Sequence, residues 1–440
     1  MKRAGNLIGQ IVELENLRVA FWKAAKAKRG RMATHRFGSA LEENLAVMSR
    51  ELASGGFEFG RYRRFRVFDP KERVIHAAAF PERVAHHAVM NVCEPVLERA
   101  SIFDSYACRV GKGRPLAVAR AQEYAQRYPW FLKMDVRKYF DSIPQSRLLA
   151  LLEGKFKDKA VLGVFRQIIG SYAARGDGVE LFGLPIGSLC SQHWANFYLG
   201  TLDRFATETL RAGGYVRYMD DFVLWHAEKD WLRDAQGRLE AFLQEKLGLV
   251  AKEAPFINRT ALGMDFLGSR IFPGTVRLNR RSKVRFLRKV RGLEKACERG
   301  EISEATLQQR ATCLVAFVAQ SESAGFRRAA GICKDVDGGQ PARTASSAAG
   351  HGTTTRTTRN VPTATTTGQP TRTTTLAFAR PELAPVGWIS QPEDNPATAP
   401  LGERSKPTNT KNPPGAGSQG WMSTAKAPGG SVCTLNRFIL

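Results

Sequence analysis

Three aspartates in this chain have the residue types and neighbours to work together. Tyr218-Met219-Asp220-Asp221 lies between two β-prone runs, Tyr215 to Tyr218 and Phe222 to Trp225, a pattern that sets acidic residues at a hairpin tip. Asp135 closes a third apolar and aromatic run, Trp130 to Val136, shortly before Tyr139-Phe140. An acidic pair at a turn is mostly structural. A further carboxylate delivered by an adjacent strand changes the reading, because hard divalent cations take oxygen ligands in octahedral geometry. Two such ions about 4 Å apart serve nucleotidyl transfer. One activates a hydroxyl; the other neutralises a triphosphate and its leaving pyrophosphate.

The elements that must position these groups are partly legible. Apolar residues recur at helical spacing from Leu41 to Leu52 and from Ala85 to Leu97, so the first third reads as mainly helical. A helix is expected from Gln145 to Leu152, with Ser142 and Pro144 near its start. After Phe272 the pattern is helical up to about Arg328. From Arg277 to Arg291, 8 of 15 residues are Lys or Arg and none is acidic, while Val284, Leu287 and Val290 recur at helical spacing. That predicts a helix with one apolar stripe and a dense positive face, suited to a phosphate backbone.

Bulk composition agrees. Lys and Arg number 66 against 41 Asp and Glu, a formal net charge of +25 over 440 residues, which points to a nucleic-acid partner. The 7 cysteines contain no CxxC pair, which argues against a zinc knuckle or a disulfide framework. No apolar run suggests a signal peptide or a membrane span, so a cytoplasmic location is the expectation. The seven histidines form no ligand-like spacing, and His86-His87 reads as a surface or packing pair. Near Asp337 the composition turns to Thr, Pro, Gly, Ser and Ala, with 13 Thr in the 23 positions from Thr353 to Thr375. Such a stretch is expected to be disordered. Its Thr runs would read as Asn runs in a shifted frame if written ACA-ACA-ACN, as in a repeat read out of frame.

Five stretches in order resemble the motifs of reverse transcriptases. Tyr218-Met219-Asp220-Asp221 looks like the YxDD box, and Asp135-Val136-Arg137-Lys138-Tyr139-Phe140-Asp141 is similar to the first palm motif. Gly183-Leu184-Pro185-Ile186-Gly187-Ser188-Leu189-Cys190-Ser191-Gln192 resembles the motif before the palm helix, continued by Ala195-Asn196-Phe197-Tyr198-Leu199. Phe266-Leu267-Gly268 looks like the primer grip. The resemblance implies an α+β right-hand polymerase: fingers over 1–130, palm over 131–275 with an antiparallel sheet, a basic helical thumb over 276–335, and a disordered tail over 336–440.

The resemblance also implies roles. Asp135, Asp220 and Asp221, with Val136, would hold two Mg2+ ions, Mn2+ being a substitute. Lys252 would protonate the leaving pyrophosphate. Lys71, Arg73, Phe140, Ile186, Gly187 and Gln192 would contact the incoming nucleotide, Phe140 as the ring that excludes a 2′-hydroxyl. Arg83, Phe266, Leu267, Gly268, Arg281, Arg285 and Arg288 would contact nucleic acid. Partners would be template RNA, primer or cDNA, dNTPs and a small basic accessory protein, with no membrane.

One departure suggests a subtype. Ile186-Gly187 and Ser191-Gln192 stand where most relatives carry Gln-Gly and Ser-Pro. That pattern, with Asp69-Pro70-Lys71-Glu72-Arg73-Val74-Ile75, Phe80, Glu82-Arg83-Val84 and Ser105-Tyr106-Ala107-Cys108-Arg109, resembles the enzymes of diversity-generating retroelements, which misread template adenines. A retron, antiphage or group II intron enzyme is the competing reading. An inactive basic RNA-binding protein on a polymerase scaffold is a third.

Overall fold

A computed structural model describes residues 3–68, 72–176, 178–253 and 255–330. Lys71 and the Thr-rich stretch after residue 330 lie outside the described residues. Two compact units divide the chain, 1–292 with 309–324, and 293–308 with 325–440. The three aspartates belong to the first. In the second, the described residues are all in or beside helices.

Four helices come first: α1 (Ile8–Val12), α2 (Leu14–Ala25), α3 (Met32–Gly38) and α4 (Leu41–Ser54). A hairpin follows, β1 (Tyr62–Phe68) and β2 (Glu72–Ala78), two strands that the sequence reading did not name inside a first third that is otherwise mainly helical, as expected. The signal for β1 was present. Phe65 and Val67 alternate with Arg64 and Arg66, a period of two that a helix cannot use. Helix α5 (Phe80–Glu98) then starts earlier than its apolar pattern suggested, with Pro81 in its first turn. Its buried Glu82 carboxylate accepts from the amides of Gly60 (3.0 Å) and Arg61 (2.8 Å), locking the hairpin base to the helix. His86 on this helix is fully buried and its ring stacks with Phe59, so His86 is a packing residue.

After α6 (Arg114–Arg127) comes β3 (Trp130–Asp135), as expected. Then follow α7 (Tyr139–Ser142), α8 (Gln145–Glu153), α9 (Lys159–Gly170), the two-residue strands β4 (Arg175–Gly176) and β5 (Leu181–Phe182), α10 (Leu189–Tyr198) and α11 (Gly200–Arg204). The hairpin β6 (Gly214–Tyr218) and β7 (Asp221–His226) confirms the strand pair read from sequence. Helix α12 (Lys229–Leu247) leads to β8 (Phe256–Arg259), and the antiparallel order is β6-β7-β3-β8.

Both faces of this sheet are covered, which is why its strands read as nearly continuous apolar runs. Leu132, Met134, Phe222 and Leu224 pack into one core with the helices. Phe131, Val216, Val223 and Trp225 pack into a second, with Ala121 of α6 and with Met264 and Phe266. Those last two lie on β9 (Met264–Phe266), which with β10 (Ser269–Ile271) and β11 (Val276–Leu278) forms a separate three-stranded sheet. Strand β11 interrupts the stretch expected to be helical after Phe272. The helices resume at α13 (Arg280–Glu298), α14 (Glu304–Ala319) and α15 (Ala324–Ala329).

One polar cluster sits inside the first core. Arg217 is 1% exposed and its partner Asp203 is 0% exposed. The guanidinium donates to both Asp203 oxygens (2.5 and 2.6 Å), to the Asn196 side-chain oxygen (2.8 Å) and to the Met219 carbonyl (2.9 Å). Tyr215 donates its hydroxyl to the same Asp203 (2.7 Å). Removing one partner of such a pair leaves the other charge buried and unpaired. Arg217→Met should therefore lose about 3–5 kcal/mol of stability in urea unfolding, and Arg217→Met with Asp203→Leu should recover part of it. An unchanged midpoint in the single variant contradicts the network.

Candidate active site

Strand register builds the acidic centre. Asp135 and Asp221 are direct partners in the β3–β7 ladder, and Tyr218 pairs with Asp221 in the β6–β7 ladder. The connecting turn is thus only Met219-Asp220, with Met219 in the left-handed region (φ 59°). The hydrogen bond from Arg217 to the Met219 carbonyl spans the base of that turn. Like charges directly opposite one another on a sheet repel. Burial, then the nearby Asp135 carboxylate, raises the Asp220 carboxyl to about 6. Burial, against the pull of Lys133, raises Asp221 to about 7.

Cations surround the three carboxylates. Lys133 Nζ lies 3.1 Å from Asp221 Oδ2. Lys252 Nζ lies 3.2 Å from Asp135 Oδ2, and the Lys252 amide donates to the Asp135 carbonyl (2.8 Å). Arg73, exposed on β2, is near enough for its charge to pull the Asp220 carboxyl back down. Among the described residues, no three His, Cys, Asp or Glu side chains close into a metal cage. The donors present nonetheless suit a hard divalent ion. Two carboxylates face each other, and Asp221 Oδ1 is buried without a hydrogen-bond partner. Val136 follows directly, its backbone bridged to Ala251.

Of the remaining nucleotide-site candidates, Phe140, Ile186 and Gly187 are brought together with β2. The Leu184 amide donates to the Phe140 carbonyl (2.8 Å), and the His76 amide of β2 to the Ile186 carbonyl (2.8 Å). The chain between them therefore runs from Phe140 to β2. Gly187 has φ +112°, and a Cβ there would sit 2.9 Å from Ile75 Cγ2, so only glycine lets this segment lie against β2. Gln192, on α10, is 3.8 Å from the Cys108 thiol. Arg83 has other neighbours. It is half-buried over the Phe80 ring, 5.6 Å from its centroid, rather than part of a solvated basic face.

Phe266, Leu267 and Gly268 form the bend between β9 and β10. Leu267 (φ 49°) and Gly268 (φ 82°) are both left-handed, as a tight two-residue turn requires. A Cβ on Gly268 would stand 2.8 Å from Ser282 Oγ, so this turn packs against the start of α13. The buried line of α13 is Ser282, Phe286 and Val290, which corrects the stripe expected from sequence. Val284 is instead 49% exposed. It lines a cavity of about 450 Å3 with Phe68, Arg280, Arg281, Arg285, Arg288 and Lys289. Phe68, at the end of β1, is 71% exposed.

Sequence reasoning missed Lys133, Arg217, Asp203 and Phe68. The first two had a signal, since each is a charge inside an otherwise apolar strand run, where burial demands a partner. Asp203 had none, because a lone Asp on a helix is ordinary.

The raised Asp221 carboxyl has a consequence for stability. The folded protein binds that proton more tightly than the unfolded chain, so the site is favourable at low pH and loses stability as pH climbs from 3.8 through about 7. In EDTA, Asp221→Asn should raise the melting temperature more at pH 8 than at pH 5. An equal shift at both values rules out a buried, repelled carboxylate.

The putative COX1/OXI3 intron 2 protein of Saccharomyces cerevisiae is 24% identical over 204 residues, 44% of this chain and 24% of that protein. The mitochondrial nuclear intron maturase 4 of Arabidopsis thaliana is 27% identical over 186 residues, 40% of this chain and 22% of that protein. The matched region thus spans about a quarter of the length of these relatives. Apo telomerase from Candida tropicalis is similar over 66% of this chain and 63% of that chain, at 12% identity and a TM-score of 0.41. Residues 71–270 match the family model for reverse transcriptase (RNA-dependent DNA polymerase). This part of the chain is thus similar to the reverse transcriptase domain, and the match indicates an RNA-directed DNA polymerase, a nucleotidyltransferase.

Proposed function

We propose that this chain copies an RNA template into DNA, with Asp135, Asp220 and Asp221 holding two Mg2+ ions. The observation that carries this reading is the ladder register that sets Asp135 against Asp221 with Asp220 at the adjoining tip. The ions would supply a nucleophilic primer 3′-hydroxyl and charge neutralisation on the triphosphate. Arg73 would meet triphosphate oxygens, and Lys252 would give a proton to the leaving pyrophosphate. Phe140 would close the sugar pocket against a 2′-hydroxyl. The cavity beside α13 has four arginines, a lysine and an exposed phenylalanine among its described lining residues, and no carboxylate. That chemistry suits a nucleic-acid backbone, with binding that weakens steeply in salt.

The finer reading is a diversity-generating retroelement enzyme. Ile186 supports it, because a branched apolar side chain beside the nascent pair offers no hydrogen bond to check it. A second reading has one specific support: the matched relatives carry intron names, which favours a chain that copies intron RNA.

Primer extension on an RNA template with Mg2+ tests the activity. Wild type should extend the primer, and Asp220→Asn should stay folded, bind RNA and synthesise no measurable DNA. Extension by Asp220→Asn near the wild-type rate would falsify the metal assignment. Sequencing the cDNA separates the finer readings, since errors concentrated at template adenines favour the first and an even spectrum favours the second. Phe140→Ala should raise ribonucleotide incorporation relative to deoxyribonucleotide. If that ratio stays constant while activity is retained, the ring only packs.

A further inference from the structure

The β9–β10 hairpin is small, with three residues in each strand and two in the turn. Among the described residues, no strand ladder joins its sheet to the one that carries the aspartates. Side chains make the connection. Lys133 stands on β3 two residues before Asp135, and its Nζ donates to the Asp265 carbonyl on β9 (2.9 Å) while pairing with Asp221 Oδ2 (3.1 Å). The same ammonium is 5.8 Å from the Phe266 ring centroid. An ammonium has three N–H donors, so one lysine can serve both oxygens at once.

A second cation holds the other end of the hairpin. Arg114, the first residue of α6, donates from Nε to the Leu267 carbonyl (2.7 Å) and from Nη2 to Ser269 Oγ (2.8 Å). Its Nη1 donates to Gln320 Oε1 (2.5 Å), and its guanidinium lies 4.2 Å from the Phe317 ring centroid. Beyond the apolar packing of Met264, Phe266 and Ile271, the hairpin is therefore held at two polar points, one of them in contact with the acidic centre.

We propose that Lys133 is a positioning residue that ties the β9–β10 hairpin to Asp221, with Arg114 as the second fixed point. The tie makes the acidic centre and the Phe266-Leu267-Gly268 bend move as one body. Its kinetic consequence rests on the polymerase reading above; its structural consequence does not. A partly exposed ion pair adds little stability. Its effect here is geometric, and a displacement of about 1 Å at a reacting centre can cost about a hundredfold in rate.

The test compares Lys133→Met, which keeps the stem and removes every donor, with Lys133→Arg, which keeps charge and several donors. Hydrogen exchange of the amides from Met264 to Ile271 reads the tie directly. Single-turnover nucleotide addition at saturating primer–template reads its consequence. In Lys133→Met the hairpin amides should exchange about tenfold faster while those of α5 are unchanged, and the addition rate should fall about tenfold or more. The nucleotide dissociation constant should stay within about twofold, and Lys133→Arg should recover most of both losses. Arg114→Met should speed hairpin exchange as well. Unchanged hairpin exchange in Lys133→Met overturns the proposal, as does an unchanged addition rate. Weakened nucleotide binding at an unchanged rate also overturns it, making Lys133 a nucleotide contact. If wild type adds no nucleotide at all, the polymerase reading fails and the exchange experiment alone decides the tie.

Discussion

A full positive charge on Arg217 lies where water cannot reach it, and the geometry of the acidic centre depends on how that charge is satisfied. Desolvating an arginine and an aspartate costs several kcal/mol per ion, which only close pairing and further hydrogen bonds offset. Asp203 supplies two oxygens, Asn196 its side-chain and backbone oxygens, and the Met219 carbonyl a fifth. Because the Met219 carbonyl belongs to the turn, the buried pair also fixes the turn that carries Asp220. Helices α10 and α11, through Asn196 and Asp203, thereby set the position of a hairpin tip that they do not otherwise form. A purely apolar core would hold the strands and leave the tip free.

The centre itself is built under electrostatic tension. Asp135 and Asp221 face each other across a ladder, with Asp220 beside them. Both hairpin carboxyls hold protons more tightly than usual as a result of burial. Lys133 and Lys252 relieve part of the repulsion, each pairing with a different aspartate. This arrangement suits an ion-binding centre, because a site that repels its own charge gains most from a cation. The strands that carry it are apolar because both faces of the sheet are covered. Leu132, Met134, Phe222 and Leu224 on one face, and Phe131, Val223 and Trp225 on the other, make the support rigid enough to hold like charges together.

Much of this was legible in the sequence, and for local reasons. Strand β3 and the β6–β7 hairpin announced themselves through runs of β-formers broken by an acidic turn, and the turn chemistry put Asp220 at the tip. The positive character of α13 followed from composition alone. The hairpin β1–β2 was legible too, in the alternation of Phe65 and Val67 with arginines, but the helical neighbours on either side concealed it. The apolar stripe of α13 was misread because Val284, Leu287 and Val290 satisfy helical spacing as well as Ser282, Phe286 and Val290 do. Periodicity gives a set of faces; which face is buried depends on what packs there.

The sequence by itself determined the strand ends, the acidic turn and the basic balance, because each rests on residues close together in the chain. Tertiary structure alone decided that Asp135 faces Asp221, that Lys133 reaches both Asp221 and the Asp265 carbonyl, and that Asp203 is the counter-charge of Arg217. These pairings join residues far apart in sequence or lie across a sheet whose register local propensity does not set. The physical reason is that strand register is fixed by packing both faces of the sheet at once, and a one-residue slip would exchange the residues of the two buried faces, spoil the packing of each and part the aspartates.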